Sequence, residues 1–150
     1  MTFKRTIKIV PSIILLLTVL VLFQVNTAHA QPKTPIEAVK IFIAGYGTSR
    51  MDEAADVTTA NFRDDRPKSV WVVKMWEMLH SIEYAHIRSK VVATKVKDRR
   101  AVVLVDAEIT SAAADAKQKE IYTLVKEGAS WLIDTLTVTD EKIDLEDHNL

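Results

Sequence analysis

The run Ala101-Val102-Val103-Leu104-Val105-Asp106-Ala107-Glu108-Ile109-Thr110 decides the fold. Its side chains alternate with a period of two, the pattern of a β-strand. Val103, Val105, Ala107 and Ile109 form one wholly apolar face, while Val102 and Leu104 share the other with Asp106 and Glu108. The apolar face is the one expected to meet a helical layer, because nothing on it resists burial.

Working outward, Ala85 to Val96 reads as a more polar strand, joined to this one through the turn-like Lys97-Asp98-Arg99-Arg100. Downstream, Ser111 to Lys117 is a polar loop, Glu120 to Lys126 a third strand, Gly128-Ala129-Ser130 a turn, and Trp131 to Val138 a fourth strand. Upstream, the period changes to that of helices. Thr34-Pro35-Ile36-Glu37 is a capping box, and Ile36, Val39, Phe42, Ile43 and Tyr46 follow as a stripe, which predicts a helix over 34–46. A second helix fits Met51 to Phe62 and a third Ser69 to Ile82. Apolar residues take up most of the third helix's circumference, so cover from more than one direction is expected. Three consecutive helices followed by four consecutive strands predict an α+β fold, with the helices on the concave face of a curved four-stranded antiparallel sheet.

The chain has 150 residues, 48% of them hydrophobic, with no cysteine and three glycines, which suits one domain with a real core. Disulfide scaffolds, thiolate metal sites and thiol catalysis are excluded. Lys4, Arg5 and Lys8, the apolar run Ile9 to Val25, and Thr27-Ala28-His29-Ala30 have the three parts of a secretory signal peptide, with cleavage expected after Ala30. That places the protein outside the cytoplasm, in a periplasm or beyond. An uncleaved anchor is the alternative and the only route by which a membrane enters. The expected organisation is a signal peptide over 1–30, one domain over 31–139 and an acidic tail over 140–150. Without residues 1–30 the chain carries 17 bases and 20 acids, and the body over 31–139 carries 16 and 15, which argues against a nucleic-acid partner.

Four groups of residues carry a resemblance to a known superfamily. They are Thr34 to Val39 leading into Phe42 and Tyr46, the strand Ala101 to Val105, Glu120-Ile-Tyr-Thr-Leu-Val-Lys-Glu-Gly128, and Trp131-Leu-Ile-Asp-Thr-Leu136. Together they resemble the nuclear-transport-factor-2-like superfamily, a cone-shaped α+β fold that includes ketosteroid isomerase and polyketide-cyclase-like proteins. The resemblance covers nearly all of 34–138 and implies a fold more than a chemistry. Enzymatic members commonly carry a short strand pair between the second and third helices. Only Arg63 to Lys68 is available for it here.

An isomerase of that kind would need an inward carboxylate and a Tyr or protonated acid facing it. Tyr46 with Asp134 or Asp106 is the set on offer, although Asp106 shares its face with Glu108 and is expected to point outward. No catalytic residue is assigned. Glu77-Met-Leu-His80 has a di-iron spacing without the second copy such a site needs, and His86 and His148 lie in other elements, so neither metal nor cofactor is expected. The candidate ligand-binding set is Phe42, Tyr46, Trp71, Trp76, His80, Tyr122 and Trp131, the aromatic and polar side chains on elements that would line the cone; filling the core is their competing role. Arg88, Lys90, Lys95, Lys97, Arg99 and Arg100 make the first hairpin basic, which suits a solvated edge or a dock for an anionic partner or the acidic tail.

The expected function is therefore a non-catalytic exported domain that binds a small apolar ligand or a protein partner. A homodimer through the outer sheet face at Val102 and Leu104 is part of that expectation. A small isomerase or cyclase, and an envelope-assembly subunit with a retained anchor, are the alternatives.

Overall fold

The structure, a computed structural model, describes residues 31–140. The expected signal peptide and the acidic tail beyond Asp140 lie outside the described residues. The elements run α1 (Pro35–Gly45), α2 (Met51–Asp56), a 3₁₀ turn (Asn61–Arg63), α3 (Lys68–Ser81), β1 (Ala85–Lys97), β2 (Arg100–Thr110), β3 (Ala116–Glu127) and β4 (Ser130–Thr139). The four strands form one antiparallel sheet in the order β1-β2-β3-β4, a meander in which each strand pairs with its sequence neighbour. No helix among the described residues is long and apolar enough to cross a membrane.

α1 starts as its capping box dictates. Thr34 Oγ1 accepts from the Glu37 N–H at 3.2 Å, and Glu37 Oε2 accepts from the Thr34 N–H at 3.2 Å. Its buried side chains Ala38, Val39 and Phe42 pack against Ala101, Val103 and Val105 of β2 and Tyr122 and Leu124 of β3 in the main core. Gly45 closes the helix where the chain folds back. A Cβ there would lie 2.6 Å from the Arg50 carbonyl, so only glycine lets α1 and α2 meet so closely.

The second helix is shorter than the sequence predicts. After Asp56 the chain extends, Thr58 makes a parallel bridge with Ile133, and the Thr59 N–H donates to the Ile133 carbonyl at 2.9 Å. Arg63 explains how the broken helix end is tolerated. Its buried guanidinium donates to the Thr58 carbonyl at 2.6 Å and to Thr58 Oγ1 at 2.8 Å, with Ala55 O at 3.4 Å, and so meets the Thr58 carbonyl just beyond the helix end.

Two expectations about apolar surface are corrected. α3 is not covered on many sides: it packs chiefly on α2 and buries only Trp71 and Leu79, while Val73 is 58% exposed and Val70, Met78 and Ile82 are also exposed. Conversely, the outer sheet face does not present Val102 and Leu104 to solvent. They are 4% and 6% exposed and form a small cluster with Ile121 and Ala93.

Candidate functional site

The concave face of the sheet carries a polar cluster in the middle of an apolar core. On β3, Glu120, Tyr122 and Leu124 fall on one face by alternation, which turns Glu120 toward the helices beside the buried tyrosine. Glu120 is 1% exposed and fully engaged. Its Oε1 accepts from His86 Nε2 at 3.0 Å and from Gln118 Nε2 at 2.8 Å, and its Oε2 accepts from Tyr122 Oη at 2.6 Å. His86 reaches it from β1, two strands away. β2 lies between, and its residue on the concave face there is the small Ala107, paired with Ser89 on one side and Gln118 on the other. A bulge at Ile87 accompanies this, since the register slips between His86 and Arg88, and bulges of this kind re-aim side chains.

Burial alone would raise the Glu120 carboxyl, but hydrogen bonds from His86 and Tyr122, attraction to His86 whenever that ring is protonated, and the Gln118 amide outweigh it and hold the group below the ordinary carboxylate range. Glu120 is therefore an ionised carboxylate inside the domain. Its charge acts on the surrounding phenols. Burial first, and then Glu120, pushes Tyr46 up to about 12, and the same causes in the same order raise Tyr84 and Tyr122. All three phenols stay protonated and able to donate.

Two hollows adjoin the cluster, and Tyr46 at the end of α1 lines both. The first, about 390 Å³, opens at the mouth beneath α3 and is walled by Phe62, Trp71, Met75 and Leu136, with Asn61, Arg66 and Asp134 at its rim. The second, about 380 Å³, lies between α1 and β1, walled by Ile43, Ala44, Ala85 and Ile87 and bearing His86 and Ser89. A third hollow of about 440 Å³ sits on the outer sheet face, away from this chemistry. Most of its charged groups are already paired, including Lys119 with Asp106 at 2.6 Å.

The expected site residues fall into three groups. Tyr46 and Trp71 line the mouth hollow together, their ring centroids 6.3 Å apart. Phe42 and Tyr122 lie beneath them as fully buried core, Phe42 stacked on Tyr46 at 4.8 Å and edge-on to Tyr122 at 5.8 Å. Trp76 and His80 are elsewhere: they stack on each other at 5.6 Å on the exposed side of α3. Trp131 is core, its backbone N–H donating to the Pro32 carbonyl at 3.1 Å. Asp106 stands on the outer face, its side chain 48% exposed and paired with Lys119, so it cannot serve the concave side. Asp134 sits at a bulge in β4, where its Oδ1 accepts from Thr59 Oγ1 at 2.7 Å. Glu120, His86, Tyr84 and Ser89 were outside the expected set. The available signal was the phase of Glu120 with Tyr122 and Leu124. No group of three or more His, Asp or Glu residues that could hold a metal exists among the described residues.

No family model matches the sequence, and no curated protein matches it. Solved structures do share the fold. A putative calcium/calmodulin-dependent protein kinase type II association domain from Thiobacillus denitrificans matches with a TM-score of 0.57 and 13% identity, over 72% of this chain and 95% of that one. A Nostoc punctiforme protein of unknown function with a cystatin-like fold matches with a TM-score of 0.55 and 9% identity, over 69% and 85%. An NTF2 design matches with a TM-score of 0.51 and 12% identity, over 69% and 95%. At such identities the likeness is one of fold alone: the described residues share a cystatin-like α+β fold with these structures.

Proposed function

We propose that the protein is an exported binding domain of the nuclear-transport-factor-2-like superfamily. It takes a small, largely apolar ligand into the hollow beneath α3, with Tyr46 and Trp71 on its walls. The observation that carries this reading is Tyr46, a phenol that lines both hollows, makes no hydrogen bond among the described residues and feels the charge of the buried Glu120. A few converging polar groups behind aromatic walls are what a ligand pocket requires. α3 supports the reading, because a helix that buries only Trp71 and Leu79, with Val72 and Met75 packed half-buried beside them, can give way to a ligand at modest cost. Pairing of two copies through the outer sheet face is less favoured, because Val102 and Leu104 are already covered there.

The test is binding of the neutral fluorophore N-phenyl-1-naphthylamine to the purified protein and to a Trp71→Ala variant. Saturable fluorescence enhancement that Trp71→Ala abolishes supports a pocket at the mouth. Enhancement unchanged by the substitution rejects that location.

An enzyme using the same groups is the second reading, favoured by one specific observation: Asp134 and Tyr46 line the same hollow. It predicts loss of turnover in Asp134→Asn with the fold intact.

A further inference from the structure

The hollow between α1 and β1 holds polar atoms that the fold does not use. Glu120 is an acceptor only, so the hydrogen in its 3.0 Å contact with His86 belongs to Nε2. A neutral ring then keeps Nδ1 as a lone-pair acceptor, whereas an imidazolium would donate from both nitrogens, so the acceptor role holds for the neutral ring. Tyr84 does not occupy it. The Tyr84 hydroxyl is 3.5 Å from Nδ1 and 3.4 Å from Nε2, and the two rings are nearly perpendicular. An oxygen on the Nδ1 lone-pair line would be much farther from Nε2 than from Nδ1, so Tyr84 stands over the ring and leaves the in-plane position open.

Two further groups border the same space. Tyr46 Oη is a protonated donor with no hydrogen bond among the described residues. Ser89, one concave-face position along β1 from His86 across the bulge, has a buried Oγ with no partner. An unpaired buried hydroxyl such as Ser89 Oγ is rare in folded proteins and marks a place where a water or ligand belongs.

We propose that this hollow recognises the hydroxyl group of a small apolar alcohol, whose oxygen accepts from Tyr46 Oη and whose hydrogen is donated to His86 Nδ1. The inference goes beyond the binding reading above: it concerns the neighbouring hollow, which shares only Tyr46 with the one beneath α3. Ile43, Ala44 and Ile87 offer apolar walls for the rest of the molecule. Glu120 and Gln118 act as positioning residues: Glu120 fixes which imidazole nitrogen carries hydrogen, and Gln118 fixes the carboxylate.

The experiment compares three probes of similar shape on the purified protein by NMR titration: benzyl alcohol, benzyl methyl ether, which can only accept, and toluene, which can do neither. The alcohol is expected to bind about tenfold more tightly than either control, the effect of one satisfied donor–acceptor pair. The nitrogen-15 resonance of His86 Nδ1 is expected to shift with benzyl alcohol and not with toluene. Tyr46→Phe removes only an uncommitted hydroxyl, so it leaves the fold intact. It should weaken the alcohol about fivefold and leave toluene unchanged. Equal affinity for the three probes, or a Tyr46→Phe variant that binds the alcohol as well as the parent does, overturns the hydroxyl assignment while leaving the pocket in place. Failure of all three probes to bind overturns the assignment and the hollow between α1 and β1 as a site, and is distinct from failure of the mouth hollow, which the naphthylamine and Trp71→Ala read.

Discussion

Replacing Glu120 by alanine tests whether the polar cluster exists as a unit. The substitution removes the acceptor of three donors, His86 Nε2, Gln118 Nε2 and Tyr122 Oη. Tyr122 is fully buried, so its hydroxyl is left without a partner and away from water. Orphaning a buried hydroxyl costs about 1–3 kcal/mol, and emptying the carboxylate's space adds to it. A loss of about 3–4 kcal/mol is expected, which lowers the melting temperature by roughly 12–20 °C in a domain of this size. Glu120→Gln keeps the volume and an acceptor oxygen, so about half that loss is expected. Differential scanning calorimetry at neutral pH reads both. The pH dependence has a definite sign. The folded carboxyl lies below its unfolded value of 4.5, so its stabilisation is present above that value and fades as pH falls through the depressed folded value. The parent should therefore lose its advantage over Glu120→Gln in acid. A melting temperature for Glu120→Ala within about 2 °C of the parent would refute the reasoning, because it would mean the carboxylate is solvated.

Other substitutions probe the frame that holds the site. Arg63→Met should cost about 2–4 kcal/mol by urea unfolding, because the Thr58 and Ala55 carbonyls lose a buried charged donor; a loss under about 0.5 kcal/mol would show that α2 ends without it. Thr34→Ala should cost about 1 kcal/mol through the lost capping box, read in the same assay, and no change would mean α1 frays there already. Val73→Ser on the exposed side of α3 should fall within about 0.5 kcal/mol of the parent; a larger loss would mean that face is covered.

The fold was legible wherever one signal dominated. The capping box at Thr34, the alternation over 101–110 and the turn at Gly128, which takes a φ of +59°, each specify one local structure, and the meander follows from them. The second helix was overrun because Thr58 and Thr59 suit either helix or extension, and their pairing with Ile133 is 75 residues distant in the chain. The circumference of α3 reads as buried because composition cannot say how many neighbours a helix has. The site was less legible than the fold. Glu120 sits among Lys117, Lys119 and Lys126, so locally it resembles a solvated strand charge, and His86 stands alone in a polar strand. What joins them is a span across β2 above Ala107, a fact of sheet order and side-chain size that spacing does not encode.

The most direct measurement of the central claim is the set of intermolecular nuclear Overhauser effects between bound N-phenyl-1-naphthylamine and the protein's methyl and ring protons. A ligand behind α3 predicts contacts to Tyr46, Met75 and Leu136, which wall the mouth hollow. Contacts instead to Val70, Val73 and Ile82 on the exposed side of α3 would contradict it.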